Sequence, residues 1–150
     1  MKVLVFHIGP DRYALRLAAI ARVVPVAELK AIALAPSFVA GLLDLHGEPV
    51  PVIDLSRLAG VVPEQVWFDT RIVLTDYPLG GGASATLGLL AEHVIGIETV
   101  NPAQLRDGGV AGAPFLGQVA STAQGLLQLV EVDQLLGPAV RALLFPEAAA

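Results

Sequence analysis

The chain has 150 residues, enough to bury a real core, and 55% of them are hydrophobic against only 15% charged. Its formal net charge of −5 comes from 14 acidic and 9 scattered basic residues, which offers no Lys/Arg patch for nucleic acid or an anionic membrane surface. Zero cysteine excludes disulfides, thiolate chemistry and cysteine-ligated zinc, and no apolar run reaches the roughly 18–20 residues of a membrane span.

The first residues, MKVLVFHIGPD, are too short an apolar run for a secretion signal, so the chain reads as soluble and cytoplasmic. Lys2–Ile8 is a β-type run ended by the turn Gly9-Pro10-Asp11, and Tyr13–Leu17 resumes with alternating faces. Ala18–Ile20 suits one helical turn, and Arg22–Val26 and Leu29–Leu34 are further extended segments. Val39–Leu45 and Val50–Leu55 then flank His46-Gly47, where Gly47 can adopt the positive φ of a two-residue turn. In that register Leu45 and Glu48 close the hairpin. Pro49 and Pro51 face away from the partner strand, which blunts the outer edge against further pairing. Asp54 or Ser56 caps a short helix over Leu55–Ala59.

Gly60–Asp69 is a connector holding the only tryptophan, Trp67. Thr70–Tyr77 is a strand, Pro78–Ser84 a flexible loop, and Ala85–Ala91 and Val94–Val100 are strands bent or joined at Glu92-His93. A turn region from Asn101 to Pro114 leads to the last strands, Leu116–Ala120 and Gly125–Val130. Val132–Phe145 is helical, split by Gly137-Pro138. Many short strands with Gly/Pro turns indicate an all-β barrel or sandwich.

No catalytic constellation emerges. His7, His46 and His93 lack ligand-pair spacing, so no metal site is expected. Gly80-Gly81-Gly82 lacks the Lys-Ser/Thr and the helix of a phosphate cradle. Asp44 and Glu48 suit a solvated turn, and no serine has the strained elbow of a nucleophile.

The run FVAGLLDLHGEPVPVIDLSRL resembles the signature of CheW-like adaptor domains, with Gly41, Leu45, Gly47, Pro51, Val52, Asp54 and Leu55 matching. FHIGPDRYALRL is similar to the family's opening, GLLAEHVIGIETV to its second-barrel strand through Gly88, Val94 and Ile97, and GLLQLVEVDQLL to its close. The resemblance implies one domain over residues 1–150, built as two intertwined five-stranded SH3-like barrels with short helices and a hydrophobic groove between them. It implies no enzymatic activity and no cofactor. Such adaptors couple the cytoplasmic tip of a chemoreceptor to a CheA-type histidine kinase. The kinase regulatory domain is bound through barrel edges, and the receptor's helical hairpin in the groove.

By matched position the partner-binding residues are Ile20, Arg22, Gly41, His46, Gly47, Gly88, Val94 and Ile97. Gly88 inside a strand marks a backbone that something approaches closely, and Gly88→Trp is expected to keep the fold while abolishing assembly. Two positions depart from the family pattern: Arg22 stands where it usually has Glu, and His46 where it usually has Arg. Ala91-Glu92 likewise replaces Val-Asp. The same residues suit a diverged adaptor in a surface-sensing or type IV pilus array. Two further readings are a small-ligand-binding barrel and a component that self-associates through edges at Leu29–Ala35 and Gly108–Ala120.

Overall fold

A computed structural model describes residues 1–146. Nine strands are present among them: β1 (Lys2–Ile8), β2 (Asp11–Arg16), β3 (Ile20–Pro25), β4 (Val39–Leu45), β5 (Glu48–Asp54), β6 (Arg71–Gly80), β7 (Ala83–Thr99), β8 (Leu116–Thr122) and β9 (Gly125–Val130). Two short helices, α1 (Leu55–Leu58) and α2 (Pro138–Leu144), follow β5 and close the described chain. Strand β7 is long because it serves two sheets. Its first half lies between β6 and β5, with β3 beyond β6 and β4 beyond β5. Its second half pairs with β1, and β2, β9 and β8 follow in order. Each sheet therefore has five strands, and together they form the two interleaved SH3-like barrels, called here barrel A (β1, β2, β8, β9) and barrel B (β3–β6).

Side-chain alternation sorts the apolar residues into three cores. Val3, Val5, Ala14, Ala120, Leu127 and Leu129 fill barrel A. Leu43, Val50, Val52, Ile72 and Leu74 fill barrel B. The opposite faces of the same strands supply the third and largest core, in which Leu4, Phe6 and Leu15 from barrel A meet Ile53, Val73, Leu87 and Leu89. The joint between the barrels is thus lined by residues as fully buried as those of their interiors. Each fully buried Leu, Ile or Phe there contributes about 1.5–3 kcal/mol. Tyr77 on β6 carries the α2 end, with the Phe145 ring stacked on it at 5.5 Å and the Arg141 guanidinium over it at 5.8 Å.

The central hairpin has the register its turn residues imply. Leu45 opposes Glu48, Leu43 opposes Val50, and Pro49 and Pro51 oppose Asp44 and Leu42. The turn needs positive φ at both central residues, 52° at His46 and 88° at Gly47, and the Asp44 carboxylate accepts the Gly47 N–H at 2.7 Å. The outer edge is blunted only as far as Pro51. From Val52 onward β5 pairs in parallel with β7, through Val52–Gly88, Ile53–Leu89 and Asp54–Leu90. A proline removes only its own N–H, so the ladder starts directly after it.

Three local expectations need adjusting. Leu29–Leu34 is not a strand: only Lys30 bridges, to Leu42. The expected loop over 78–84 shrinks to a Gly81-Gly82 turn, because β6 runs to Gly80 and β7 starts at Ala83. Val132–Phe145 becomes a 3-10 turn over Val132–Gln134 and a separate helix with Pro138 in its first turn, where a missing N–H costs nothing. Asp54, rather than Ser56, caps α1, accepting from the Ser56 and Arg57 amides at 3.0 and 3.2 Å.

Candidate partner-binding surface

The matched positions do not fall on one surface. Arg22 on edge strand β3 and His46 at the hairpin tip are both exposed and line the same concavity, of about 450 Å³. Its walls are Val24 and Pro25 on one side and Leu43 and Leu45 on the other, so it occupies the seam between β3 and β4. The two strands are not paired with each other. Asp44 is the acid in this lining, and it is committed to the Gly47 amide. Gly47 belongs to a neighbouring concavity of about 300 Å³ with Lys30, Leu42 and Pro49. Arg22 and Lys30 therefore flank the hairpin, and neither forms an ion pair among the described residues.

Ile97 defines a second surface. It lies on the second half of β7, which pairs with β1, opposite Leu4, and is 57% exposed; Ile95 beside it is 59% exposed. Ile20 and Val94 are half-buried and pack against the core of the joint. Val94 also donates its N–H to the Asp69 carbonyl at 3.0 Å.

Gly41 and Gly88 are buried, so neither offers a surface to a partner. A Cβ at Gly88 would stand 2.9 Å from Val52 Cγ2 and 3.2 Å from Ile72 Cγ2, inside barrel B. The close approach expected at Gly88 is therefore real but intramolecular. A tryptophan there would have to enter a filled barrel, which overturns the expectation that Gly88→Trp keeps the fold. Gly41, at φ 143°, lets the Lys30 carbonyl come within 2.6 Å of where a Cβ would sit, which permits the Lys30–Leu42 bridge.

The residues that local sequence reasoning left unassigned gather at the bend of β7. The His7 and His93 rings meet edge to face at 5.5 Å, and the Trp67 ring lies 5.2 Å from His93 on another side. His93 Nδ1 is 2.9 Å from Asp69 Oδ1. Trp67 Nε1 and Ser56 Oγ donate to the two oxygens of Glu92 at 3.0 and 2.9 Å. His46 is on the hairpin, away from this group. Among the described residues no three His, Asp or Glu side chains are placed to hold a metal ion. Nearby, burial pushes the Asp54 carboxyl above its ordinary range, against the pull of the Arg57 and Ser56 amides and the Arg57 guanidinium. Inside the mouth of barrel A, Arg12 bonds Glu98 at 2.6 Å and Thr122 at 3.1 Å.

The two filled barrels share one strand, and each exposes a different face. A family model for the CheW-like domain matches residues 2–139, and the chain belongs to that family. This is a family of scaffold and adaptor proteins of chemotaxis signalling. Among solved structures, the chain resembles the crystal structure of the scaffolding protein TtCheW from Thermoanaerobacter tengcongensis. The TM-score is 0.79 at 22% identity, over 91% of this chain and 87% of that one. No curated protein sequence matches the chain. No helix among the described residues is long and apolar enough to cross a membrane.

Proposed function

We propose that this chain is a non-catalytic, cytoplasmic adaptor that joins the tip of a chemoreceptor to the regulatory domain of a CheA-type histidine kinase, acting as a single two-barrel unit. The observation that carries this reading is the presence of two separate exposed faces, one on each barrel. Bridging two partners requires two faces held at a fixed relation, and the packed joint supplies that relation. The face at Arg22 and His46 combines an apolar-walled concavity with the exposed Arg22 guanidinium, which suits a helical partner carrying an apolar stripe beside a carboxylate. The Ile95–Ile97 face on β7 suits an apolar barrel-edge contact.

The direct test is co-sedimentation with receptor tips and kinase. Arg22→Glu reverses charge at an exposed position and is expected to leave the fold intact while weakening recovery in the assembly about tenfold, equivalent to about 1.4 kcal/mol. The double change Arg22→Glu with His46→Arg is expected to shift partner preference rather than abolish binding. Unchanged recovery and unchanged partner choice in both variants would leave this face with a structural role alone.

A further inference from the structure

Strand β7 passes from pairing with β5 and β6 to pairing with β1 between two adjacent residues. Its last residue paired with β6 is Ala91, opposite Arg71, and its first paired with β1 is Glu92, opposite His7. His93 sits at this change of partners with φ 49°, in the left-handed region that a non-glycine residue occupies only when its surroundings hold it there. What holds it is side-chain contact. Asp69 binds its Nδ1, Trp67 and His7 pack against its ring, and Glu92 beside it binds Trp67. Asp69 and Trp67 belong to the 59–70 connector and His7 to β1, so the bend ties barrel A, barrel B and the connector together.

We propose that His7 and His93 make this bend a proton-sensitive junction, in which protonation of His7 releases the connector from β7 and loosens the angle between the barrels. The reason is electrostatic crowding. A cation at His7 would face the His93 ring, which is itself fixed to Asp69, and would lie near the Arg12 guanidinium on the next strand. The charged groups around the site are Asp11 and Arg12 from β2, Asp69 and Glu64 from the connector and Glu92 from β7, with Asp54 and Arg57 behind Glu92. Asp69 is engaged by His93, and Glu92 by Trp67 and Ser56; Asp11 and Glu64 form no ion pair among the described residues, but the pull of Asp11 on His7 is weaker than the push of His93 and Arg12. Room for the movement exists: Gly9, Val61, Pro63, Glu64, Trp67 and His93 border an open concavity of about 270 Å³.

Burial, then His93 and then Arg12, push the His7 pKa below its ordinary value, against the weaker raising effects of Asp69 and Asp11. A histidine that is harder to protonate when folded confers stability that is complete above the unfolded value of about 6.5. That stability is lost as pH falls from there through the lower folded value. The junction therefore holds at neutral pH and weakens in mild acid.

The consequence for partner binding rests on the adaptor reading, whereas the junction is read in the free protein, so the two can fail separately. Trp67 is the only tryptophan, and its emission reports this site alone. Titrating the full chain from about pH 8 to about pH 5 is expected to move the emission maximum to longer wavelength while far-ultraviolet circular dichroism stays unchanged. Wavelength, rather than intensity, is the quantity to follow. His7→Gln, and His7→Phe, which keeps an aromatic edge against His93, are expected to hold the neutral-pH maximum throughout. Asp69→Asn is expected to start from a longer wavelength at about pH 8. A constant maximum in the wild-type chain, or a wild-type shift that persists in either folded His7 variant, would overturn the proposal.

Discussion

His46 has two roles that can be separated. It occupies the first central position of the hairpin turn at φ 52°, and it lines the concavity shared with Arg22. The turn tolerates residues that visit the left-handed region, of which asparagine is the best non-glycine example, and penalises β-branched ones. His46→Asn should therefore keep stability within about 0.5 kcal/mol, and His46→Val should lose about 1–2 kcal/mol, read as a fall in the urea midpoint. Both variants remove the imidazole. If that imidazole contacts a partner, the two lose assembly to a similar degree despite their different stabilities; loss that follows stability alone would assign His46 to the turn only. Gly47 carries no such ambiguity, since a Cβ there would meet nothing within 4 Å and only its φ of 88° demands glycine.

At the scale of elements, Gly41 and Gly88 show how two glycines in strands serve different ends. At Gly88 the obstacle to a methyl group is side chains, Val52 and Ile72, and the backbone is ordinary. Gly88→Ala should overpack barrel B and cost about 1–2 kcal/mol. At Gly41 the obstacle is the Lys30 carbonyl, combined with a φ of 143°. Backbone cannot step aside as a side chain can, so Gly41→Ala should cost about 2–3 kcal/mol and release the Lys30–Leu42 bridge. Hydrogen exchange at the Lys30 and Leu42 amides distinguishes the two: it accelerates selectively in Gly41→Ala and not in Gly88→Ala. Selective exposure in both would show that the bridge depends on barrel B packing instead.

At the same scale, some elements are written in the local sequence and others are not. Hairpins β1–β2, β4–β5 and β8–β9 carry turn residues and alternation within Lys2–Arg16, Val39–Asp54 and Leu116–Val130, so local rules suffice for them. The unity of β7 is not written locally. Glu92-His93 looks like an interruption, and only partners distant in sequence, β5 and β6 on one side and β1 on the other, hold it extended. Arg22 and His46 stand out in the sequence only as departures from the family pattern, and their spacing does not show that they line one concavity. The cluster of His7, Trp67 and His93 was legible through neither, because its members are joined only by tertiary contact.

The whole molecule raises the question of whether two barrels mean two folding units. Each has its own interior, but neither can exist as drawn without half of β7, and the largest core takes Leu4, Phe6 and Leu15 from one and Ile53, Val73 and Leu87 from the other. Melting barrel A alone would expose the faces of Phe6 and Leu89 that are now fully buried, and the cost would be charged to barrel B as well. Two-state unfolding is therefore the expected behaviour, with circular dichroism and Trp67 fluorescence tracing the same curve. Leu89→Ala, which leaves a cavity in the joint, should lower stability by about 2–5 kcal/mol and still give one transition. Leu127→Ala, inside barrel A, should destabilise by a similar amount, and Trp67 at the bend should report it at the same midpoint as the circular dichroism. A Trp67 curve that stays at the wild-type midpoint in Leu127→Ala, while circular dichroism splits into two steps, would show the barrels to be independent. The fixed relation between the two faces, on which a bridging role depends, would then have to come from the partners.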